Sequence, residues 1–323
     1  MTVISGADID AAAARIRGAV ARTPLLDASR AAGRPLWLKC ENLQVAGSFK
    51  LRGAFNMIAG LPPAERRRGV ITYSSGNHAQ AVACAARAVG TAAVVVMPRT
   101  APAVKVAGAR GYGAEVLFEG TTSVERRTRA EREAQGRGLV MIPPFDHPAI
   151  IAGQATVGRE IVEDARQVAR VYVPVGGGGL LAGVATAVKQ THPSAQVIGV
   201  EPVGAACLAA SLAAGRPVTL ERTASVADGL LPVRPGDLTF AAARALVDDV
   251  VGVEDEAIER GVAWLCRHAK LVAEPSGAAA TAAALAAEPA PDAGISVAVV
   301  SGGNVAPAAL ADLLRGAAVD PPG

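Results

Sequence analysis

Short β-branched apolar runs alternate along the chain with segments of helical apolar spacing. This alternation is typical of parallel sheets covered by helices. Several runs are almost continuously apolar, as expected of strands buried on both faces. The predicted strands are VITY (70–73), AAVVVM (92–97), AEVLF (114–118), RVYVPV (170–175), QVIGV (196–200) and ISVAVV (295–300). The predicted helices cover 51–59, 78–89, 104–110, 124–135, 154–166, 180–190, 255–269 and 277–287.

Glycine-containing turns directly follow three of these strands. They are SSGN (74–77), GGGG (176–179) and SGGN (301–304). In open α/β sheets, ligands bind beyond the carboxyl ends of the strands, so the three turns indicate one common site. A single glycine after a strand is explained equally well as the easing of a tight turn. Three such turns together favour the ligand site.

The segment VPVGGGGLLAGVATAVKQ (173–190) predicts a strand, a glycine loop and a helix. Successive residues without Cβ let backbone N–H groups surround an oxyanion, and the helix N-terminus adds its positive dipole end. The loop therefore predicts a phosphate ligand. Residues 177–182 also satisfy the G-x-G-x-x-G/A pattern of dinucleotide sites, and Glu201 stands where a ribose-binding acid belongs. An NAD-type oxidoreductase is therefore an alternative.

Lys50 is the candidate nucleophile. Apolar residues at helical spacing predict a helix over 51–59, with Gly47-Ser48 as its cap and Lys50 at its start, beside Phe49. The positive helix end and partial desolvation disfavour a charged ammonium, which leaves a neutral amine able to attack a carbonyl. Position alone favours an ordinary surface lysine instead, because exposed lysines greatly outnumber reactive ones.

Composition narrows the function classes. The 323 residues are 51% hydrophobic, which suffices for about two domains. A net charge of +3 offers no field that would select a nucleic acid or an anionic membrane. The four cysteines are scattered, without C-x-x-C or a histidine at zinc-ligand spacing. With no signal peptide and no 18-residue apolar window, we predict a cytoplasmic protein that binds neither nucleic acid nor membrane.

Six motifs together resemble a known family. They are SFKLRGA (48–54), SSGNHAQ (74–80), PVGGGGLLAG (174–183), SVADG (225–229), AEPSGA (273–278) and SGGN (301–304). Their order is that of fold-type II pyridoxal-phosphate enzymes, and the chain resembles the threonine dehydratase and serine racemase branch. The resemblance implies a two-domain α/β fold of tryptophan synthase β type, with parallel sheets flanked by helices. It places the active site in the cleft between a large domain (1–68 and 147–323) and a small one (69–146), in a homodimer or homotetramer.

The resemblance also implies roles for individual residues. Lys50 would form the Schiff base with pyridoxal 5′-phosphate and later act as the base. The other implied cofactor contacts are Phe49, Asn77 at the ring hydroxyl, Gly176, Gly177, Gly178, Gly179 and the Leu180 amide at the phosphate, and Ser301 at the pyridine nitrogen. The substrate carboxylate would bind at Ser74, Ser75, Gly76, Asn77 and His78. Ser75 is also the second-face catalytic serine of racemases. Glu274 would lie near the ring, or would cap a turn before Pro275.

The implied reaction is β-elimination of water from L-threonine or L-serine, giving a 2-oxo acid and ammonia. Serine racemisation is an alternative because Ser75 is present. The arginine-rich segment 123–133 predicts a solvated helix face. Alternatively, Arg126 or Arg127 reaches the cleft and selects a second carboxylate, as in 3-hydroxyaspartate. A non-catalytic protein that binds a phosphate ligand is a further alternative.

Two departures from the family pattern limit the resemblance. In the racemase branch a divalent cation is held by a glutamate, a carbonyl and an aspartate after the Glu-Pro of a strand end. Here Glu201 is the one candidate metal ligand, and Cys207 stands where the last carboxylate would fall. Hard cations prefer oxygen ligands, so we predict no metal. The chain also has no room for the C-terminal regulatory domain of large biosynthetic dehydratases, so we expect no feedback control by isoleucine.

Overall fold

The computed structural model describes residues 3–74, 76–290 and 294–316. Its strands form one sheet of six and one of four. The strands are β1 (Leu25–Asp27), β2 (Leu36–Cys40), β3 (Val70–Tyr73), β4 (Ala93–Met97), β5 (Glu115–Phe118), β6 (Val140–Met141), β7 (Val168–Pro174), β8 (Gln196–Pro202), β9 (Asp249–Val253) and β10 (Ile295–Val300). The six-stranded sheet has the order β1-β2-β10-β7-β8-β9, and the four-stranded sheet has the order β5-β4-β3-β6. Within the described ranges, β1 pairs antiparallel with β2 and the other neighbouring strands pair in parallel.

Helices cover both sheets, as predicted from the alternating pattern. They are α1 (Gly6–Ile16), α2 (Ser29–Ala32), α3 (Lys50–Ala59), α4 (Pro63–Arg68), α5 (Asn77–Val89), α6 (Ala103–Gly111), α7 (Ser123–Arg137), α8 (Pro148–Asp164), α9 (Gly179–Thr191), α10 (Cys207–Ala214), α11 (Asp237–Leu246), α12 (Asp255–Trp264), α13 (Pro275–Ala286) and α14 (Pro307–Gly316). A π-helical turn (Leu265–Ala269) follows α12 directly. Among the described residues, no helix is both long and apolar enough to cross a membrane.

The six predicted strands correspond to β3, β4, β5, β7, β8 and β10. The sequence analysis missed the other four for local reasons. β1 and β6 have only three and two residues. β2 contains Lys39, and β9 begins with an aspartate and contains Gly252, so neither has an uninterrupted apolar run. Lys39 is nonetheless fully buried. The charge of Lys39 interrupts the apolar pattern of β2 in the sequence. In the fold, Glu160 pairs with this charge.

Helix α3 packs between α5, beside the four-stranded sheet, and α8, which packs on α9 of the six-stranded sheet. Glycines allow the close approach of α3 to α8. A Cβ on Gly153 would lie 2.5 Å from the Cα of Gly53, which no real side chain tolerates. The small residues of these helices therefore fix the position of α3, whose first residue is Lys50.

The four-stranded sheet and its connecting helices lie within the predicted range 69–146, since β3 begins at Val70 and β6 ends at Met141. The exact domain boundaries stay a prediction. The three glycine-containing turns follow β3, β7 and β10 directly. β7 and β10 are parallel neighbours in the six-stranded sheet, so their turns lie at the same edge, whereas β3 presents its turn from the four-stranded sheet.

Candidate active site

The three turns meet around one cavity of about 590 Å³ that both sheets help to form. Residues predicted for the site line it together: Phe49, Lys50, Ser74, Gly76, Asn77, His78, Gly176, Gly177, Gly178, Gly179, Leu180 and Ser301. Ser75 lies outside the described residues. The cavity therefore brings together the described residues that the sequence analysis assigned to cofactor and substrate.

Lys50 is the first residue of α3 and lies in the cavity wall. Its ammonium donates a hydrogen bond to the carbonyl of Pro144 at 2.8 Å and lies 5.1 Å from the centre of the Phe49 ring. Burial lowers the pKa of Lys50 to about 8. Roughly a tenth of such a lysine is neutral at pH 7, so the free amine is a usable nucleophile and base.

The expected Gly47-Ser48 cap is wrong. Phe49 is the N-cap residue of α3, and no side chain caps this helix end. Ser48 instead forms an antiparallel bridge with Gly302, and the Phe49 N–H donates to the Ser301 carbonyl at 3.1 Å. The turn after β10 thus holds the chain just before Lys50, which helical spacing could not reveal.

The tetraglycine loop is packed so closely that side chains would not fit. A Cβ on Gly177 would lie 2.2 Å from the Phe145 ring, and one on Gly178 would lie 2.9 Å from the side chain of Thr239. Gly178 also has a φ of +91°, which favours glycine. The Thr239 hydroxyl donates to the Gly177 carbonyl at 2.7 Å and fixes the loop.

The loop leads directly into α9, whose N-cap is Gly178. N–H groups in the first turn of a helix have no acceptor within the helix, and the helix dipole favours an anion there. The loop carries no side chains of its own and offers backbone donors to the cavity, which suits a phosphate group.

Asn77 begins α5, and its amide is fixed from two sides. Its NH₂ group donates to the Glu274 carboxylate, and its oxygen accepts a hydrogen bond from Asn304 at 3.0 Å. Ser301 follows β10; it is buried, and its hydroxyl donates to the Ser276 carbonyl at 3.3 Å. Ser301 thus places a neutral hydroxyl in the cavity wall.

The turn after β3 places Ser74, Gly76 and His78 at the cavity. The Ser74 hydroxyl accepts the N–H of Gly76 at 3.1 Å, so this part of the predicted carboxylate site is held by its own side chain. His78 is buried, with Nε2 3.1 Å from the Ile142 carbonyl. Burial, with a smaller effect of the Lys50 charge, lowers the pKa of His78 to about 3. His78 is therefore neutral at physiological pH.

Lys105 and Asp228 are among the charged residues of the cavity wall that sequence reasoning missed. Lys105 of α6 pairs with Asp228, and both line the cavity. Its stem lies over the turn after β3, where a Cβ on Gly76 would come within 2.4 Å of Lys105 Cδ. Asp228 belongs to the SVADG motif of the sequence analysis, but its pairing with Lys105 was not predicted. Glu274 is buried near Asn77, and its side chain does not cap α13. Glu274 does stand at the N-cap of α13, where its backbone carbonyl accepts the N–H groups of Gly277 and Ala278.

Glu201 has a different role from either one considered for it. Its two carboxylate oxygens accept the backbone N–H groups of Leu208 and Ala209 at 2.8 and 2.9 Å, in the first turn of α10. Both oxygens are thus engaged by a helix start, which argues against a ribose contact. Across residues 3–74, 76–290 and 294–316, no three histidine, cysteine, aspartate or glutamate side chains are grouped as metal ligands.

The solvated-face prediction for 123–133 holds for Arg127 and fails for Arg126. Arg127 is exposed and pairs with Glu131 within α7, and it also lines the cavity, as the alternative expected. Arg126 is buried, and it donates to the Thr121 carbonyl at 3.0 Å. The Nε of Arg126 is buried without a hydrogen-bond partner. Arg126 also lines the cavity, so a buried guanidinium is available there.

Comparisons with known proteins agree with this geometry. The chain is 44% identical over 259 residues to the biosynthetic L-threonine dehydratase of Pasteurella multocida (strain Pm70), covering 79% of this chain and 50% of that protein. It is 43% identical over 301 residues to an L-threonine ammonia-lyase of Thermotoga maritima, covering 92% and 75%. The chain thus spans about half the length of the first relative and three quarters of the second.

A solved structure shows the same fold. The maize serine racemase superposes with a TM-score of 0.90 at 39% identity, covering 96% of each chain. The predicted α/β class with parallel sheets flanked by helices is confirmed, as is the recognition of the family. The family described as pyridoxal-phosphate dependent enzyme matches residues 16–302. The chain therefore belongs to the pyridoxal-phosphate dependent enzymes.

Proposed function

We propose that the protein eliminates water from L-threonine or L-serine and releases a 2-oxo acid and ammonia. One observation carries the proposal: a half-buried lysine, a glycine loop at a helix start and a fixed amide donor line the same cavity. The named relatives that act on threonine support the substrate class. The identity to a serine racemase makes racemisation the second candidate.

The residues present fit pyridoxal phosphate. The tetraglycine loop and the Leu180 amide would hold its phosphate through backbone N–H groups at the start of α9. Lys50 would carry it covalently, Asn77 would donate to its ring hydroxyl, and Ser301 would face its pyridine nitrogen. When bound, the cofactor supplies a sink for the electrons left on the substrate α-carbon.

The protein's own groups then have defined tasks. The turn at 74–78 would hold the substrate carboxylate with backbone N–H groups at the start of α5. Lys50, once free, would remove the α-proton, because its lowered pKa of about 8 leaves a usable fraction as the amine. The α-proton and the β-hydroxyl leave the substrate as water. The released enamine takes up water and yields the 2-oxo acid and ammonia.

Arg126 supports a different preferred substrate. A buried guanidinium in the cavity wall, with Nε unpartnered, would bind a second carboxylate. We therefore include 3-hydroxyaspartate as a candidate substrate. If Arg126 selects it, Arg126→Met loses activity on 3-hydroxyaspartate while activity on serine is kept. Equal losses on both substrates would exclude this role.

The first experiment tests cofactor and reaction together. The purified protein should be yellow, its visible band should be lost on borohydride reduction, and mass spectrometry should find the modification on Lys50. Serine, threonine, 3-hydroxyaspartate and phenylserine are then compared for release of ammonia and 2-oxo acid. A colourless protein that binds NADH would overturn the proposal.

Light scattering of the purified protein tests the expected homodimer or homotetramer, and cell fractionation tests the expected cytoplasmic location.

A further inference from the structure

A group of polar side chains joins the two sides of the cavity next to Asn77. We call Asn77, Lys105, Asp228, Glu274 and Asn304 the cleft network. Asn77 and Lys105 come from α5 and α6, beside the four-stranded sheet. Their partners come from distant parts of the sequence. Lys105 pairs with Asp228 and lies 3.9 Å from Glu274 Oε2, and Asn77 donates to Glu274 Oε1.

The hydrogen bonds of this network fix which way the Asn77 amide points. An ionised carboxylate only accepts hydrogen bonds, so Glu274 requires the NH₂ group of Asn77 on its side. Asn304 donates to the Asn77 oxygen at 3.0 Å, which favours the same orientation. One N–H of the Asn77 amide is then left for a further acceptor. A flipped amide would present an oxygen in its place.

Fold stability alone does not explain Glu274. Its Oε2 is buried without a hydrogen-bond partner, and its side chain does not cap α13. A buried carboxylate without full pairing costs free energy. The pKa of Glu274 is raised to about 7. Burial is the main cause, the Lys105 charge opposes it, and the Asp228 charge adds to it. Glu274 thus places a buried carboxylate, which costs stability, in a hydrogen bond with the Asn77 amide at the cavity.

We propose that Glu274 is a positioning residue that fixes the Asn77 amide for the cofactor ring, and that Lys105 keeps Glu274 ionised. The inference rests on the proposed function, because it takes Asn77 as the donor to the ring hydroxyl. A protonated Glu274 has an O–H to donate and no longer requires the NH₂ group of Asn77. The charged groups that face Glu274 are Lys105 of α6 and Asp228.

The main test replaces Glu274 with an amide and measures cofactor binding without substrate. Cofactor-free wild type and Glu274→Gln are titrated with pyridoxal phosphate between pH 6 and pH 8.5. At pH 8.5 we expect Kd to be about tenfold higher in the variant, the effect of one loosened hydrogen bond. At pH 6 the ratio should approach one, because Glu274 is then protonated in the wild type. Taking a ratio at each pH cancels the titration of Lys50.

Glu201→Gln is the matched control, since it also places a glutamine at a buried glutamate, and Glu201 holds the start of α10. Its Kd ratio should be independent of pH. Unfolding of the cofactor-free proteins separates positioning from packing. Because Lys105 keeps Asp228 as its partner, Glu274→Gln should unfold at the same temperature as wild type or higher.

Lys105→Met tests the second half of the proposal. Removing the ammonium raises the pKa of Glu274, so the variant should bind cofactor weakly at pH 7.5 and regain most of its affinity at pH 9. Glu274→Gln should not recover at pH 9. Lys189→Met, which breaks the pair of Lys189 with Asp248, is the matched control.

Each result is decisive. A Kd ratio for Glu274→Gln that stays near one at pH 8.5, or that does not vary with pH, overturns the positioning role. So does a lower unfolding temperature with unchanged cofactor affinity, which would indicate packing only. If wild type itself binds no pyridoxal phosphate, the proposed function fails instead.

Discussion

The start of α3 carries Lys50 on its cavity side and Arg52 on another side, and the charges around these two residues are paired in contrasting ways. Lys50 and Arg52 are two residues apart, which places them about 200° apart around the helix. Arg52 belongs to a group that we call the closed cluster: Lys39, Glu41, Arg52 and Glu160. Arg52 binds both carboxylates, with bonds of 2.7 to 2.8 Å, and Lys39 binds Glu160 at 2.5 Å.

The closed cluster has two positive and two negative side chains, and its charges balance. The polar groups of the cavity are less complete. Among the described residues, the Lys50 ammonium has only the Pro144 carbonyl as a hydrogen-bond acceptor, and Glu274 Oε2 has no hydrogen-bond partner, with Lys105 3.9 Å away. Full pairing makes a charge part of the scaffold, whereas incomplete pairing leaves a group able to react or titrate. On one helix, Arg52 therefore serves stability and Lys50 serves the chemistry.

The largest effect should come from Lys50→Ala. The substitution removes the cofactor anchor and the base together, so elimination should fall by several orders of magnitude. The two roles act as a unit, and their losses should not add. Lys50 has no ion pair among the described residues, and its lowered pKa shows that burial penalises its charge, so the unfolding free energy of the cofactor-free protein should stay the same or rise. Steady-state assays and urea unfolding check both parts, and near-wild-type turnover would end the proposed mechanism.

Arg52→Met should have the opposite effect. It leaves Glu41 and Glu160 buried with fewer partners, so the protein should lose about 3–5 kcal/mol of unfolding free energy. Urea unfolding at pH 7.5 measures the loss. Arg22→Met is the control, because Arg22 pairs with Glu163 and Asp164 at the exposed surface, and should cost about 1 kcal/mol or less. Equal losses in the two variants would contradict the importance of the closed cluster.

Acid should distinguish the two groups in cofactor-free protein. Burial raises the pKa of Glu41, but Arg52 and Lys39 outweigh it and hold the pKa below its usual value. The stability from Glu41 is therefore present above about pH 4.5 and is lost as the pH falls further. The raised pKa of Glu274, about 7, has the opposite sign. The folded state binds the extra proton, so stability falls as the pH rises from about 4.5 to 7.

Glu274→Gln should remove that fall, which amounts to about 2–3 kcal/mol at most. Urea unfolding of wild type and variant at pH 5, 6 and 7 measures it. The two stability curves should diverge only as the pH rises, with the variant more stable at pH 7. Parallel curves would show that Glu274 does not titrate in this range.

The smallest expected effect concerns Ser75 and separates the dehydratase from the racemase. Racemisation needs proton donors on both faces of the substrate α-carbon, whereas elimination from an L-amino acid needs only the face of Lys50. Ser75→Ala should abolish any interconversion of L- and D-serine and spare most elimination. Loss of one carboxylate hydrogen bond should raise KM up to about tenfold. Chiral analysis of serine checks this; if wild type forms much D-serine, racemisation becomes the main activity.

The sequence predicted the parts of the site that depend on local pattern. Lys50 at a helix start and glycines after buried strands are both visible in a short window. The cleft network was not predicted, because Lys105 and Asp228 are 123 residues apart and only the tertiary fold makes them neighbours. The predicted Gly47-Ser48 helix cap was wrong for the same reason. The partner of Ser48 is Gly302, on the turn after β10, and this pairing replaces the cap.

The packing of the tetraglycine loop has a consequence for how the gene can vary. Phosphate recognition there uses backbone N–H groups alone, so no side chain at positions 176–179 contributes to it. Substitution is blocked from outside, because a Cβ on Gly177 meets Phe145 and one on Gly178 meets Thr239. The four positions should therefore be among the least tolerant in the chain. A methyl group at Gly177 becomes acceptable only in a background where Phe145 has first become smaller, so tolerance at one position depends on the residue at the other.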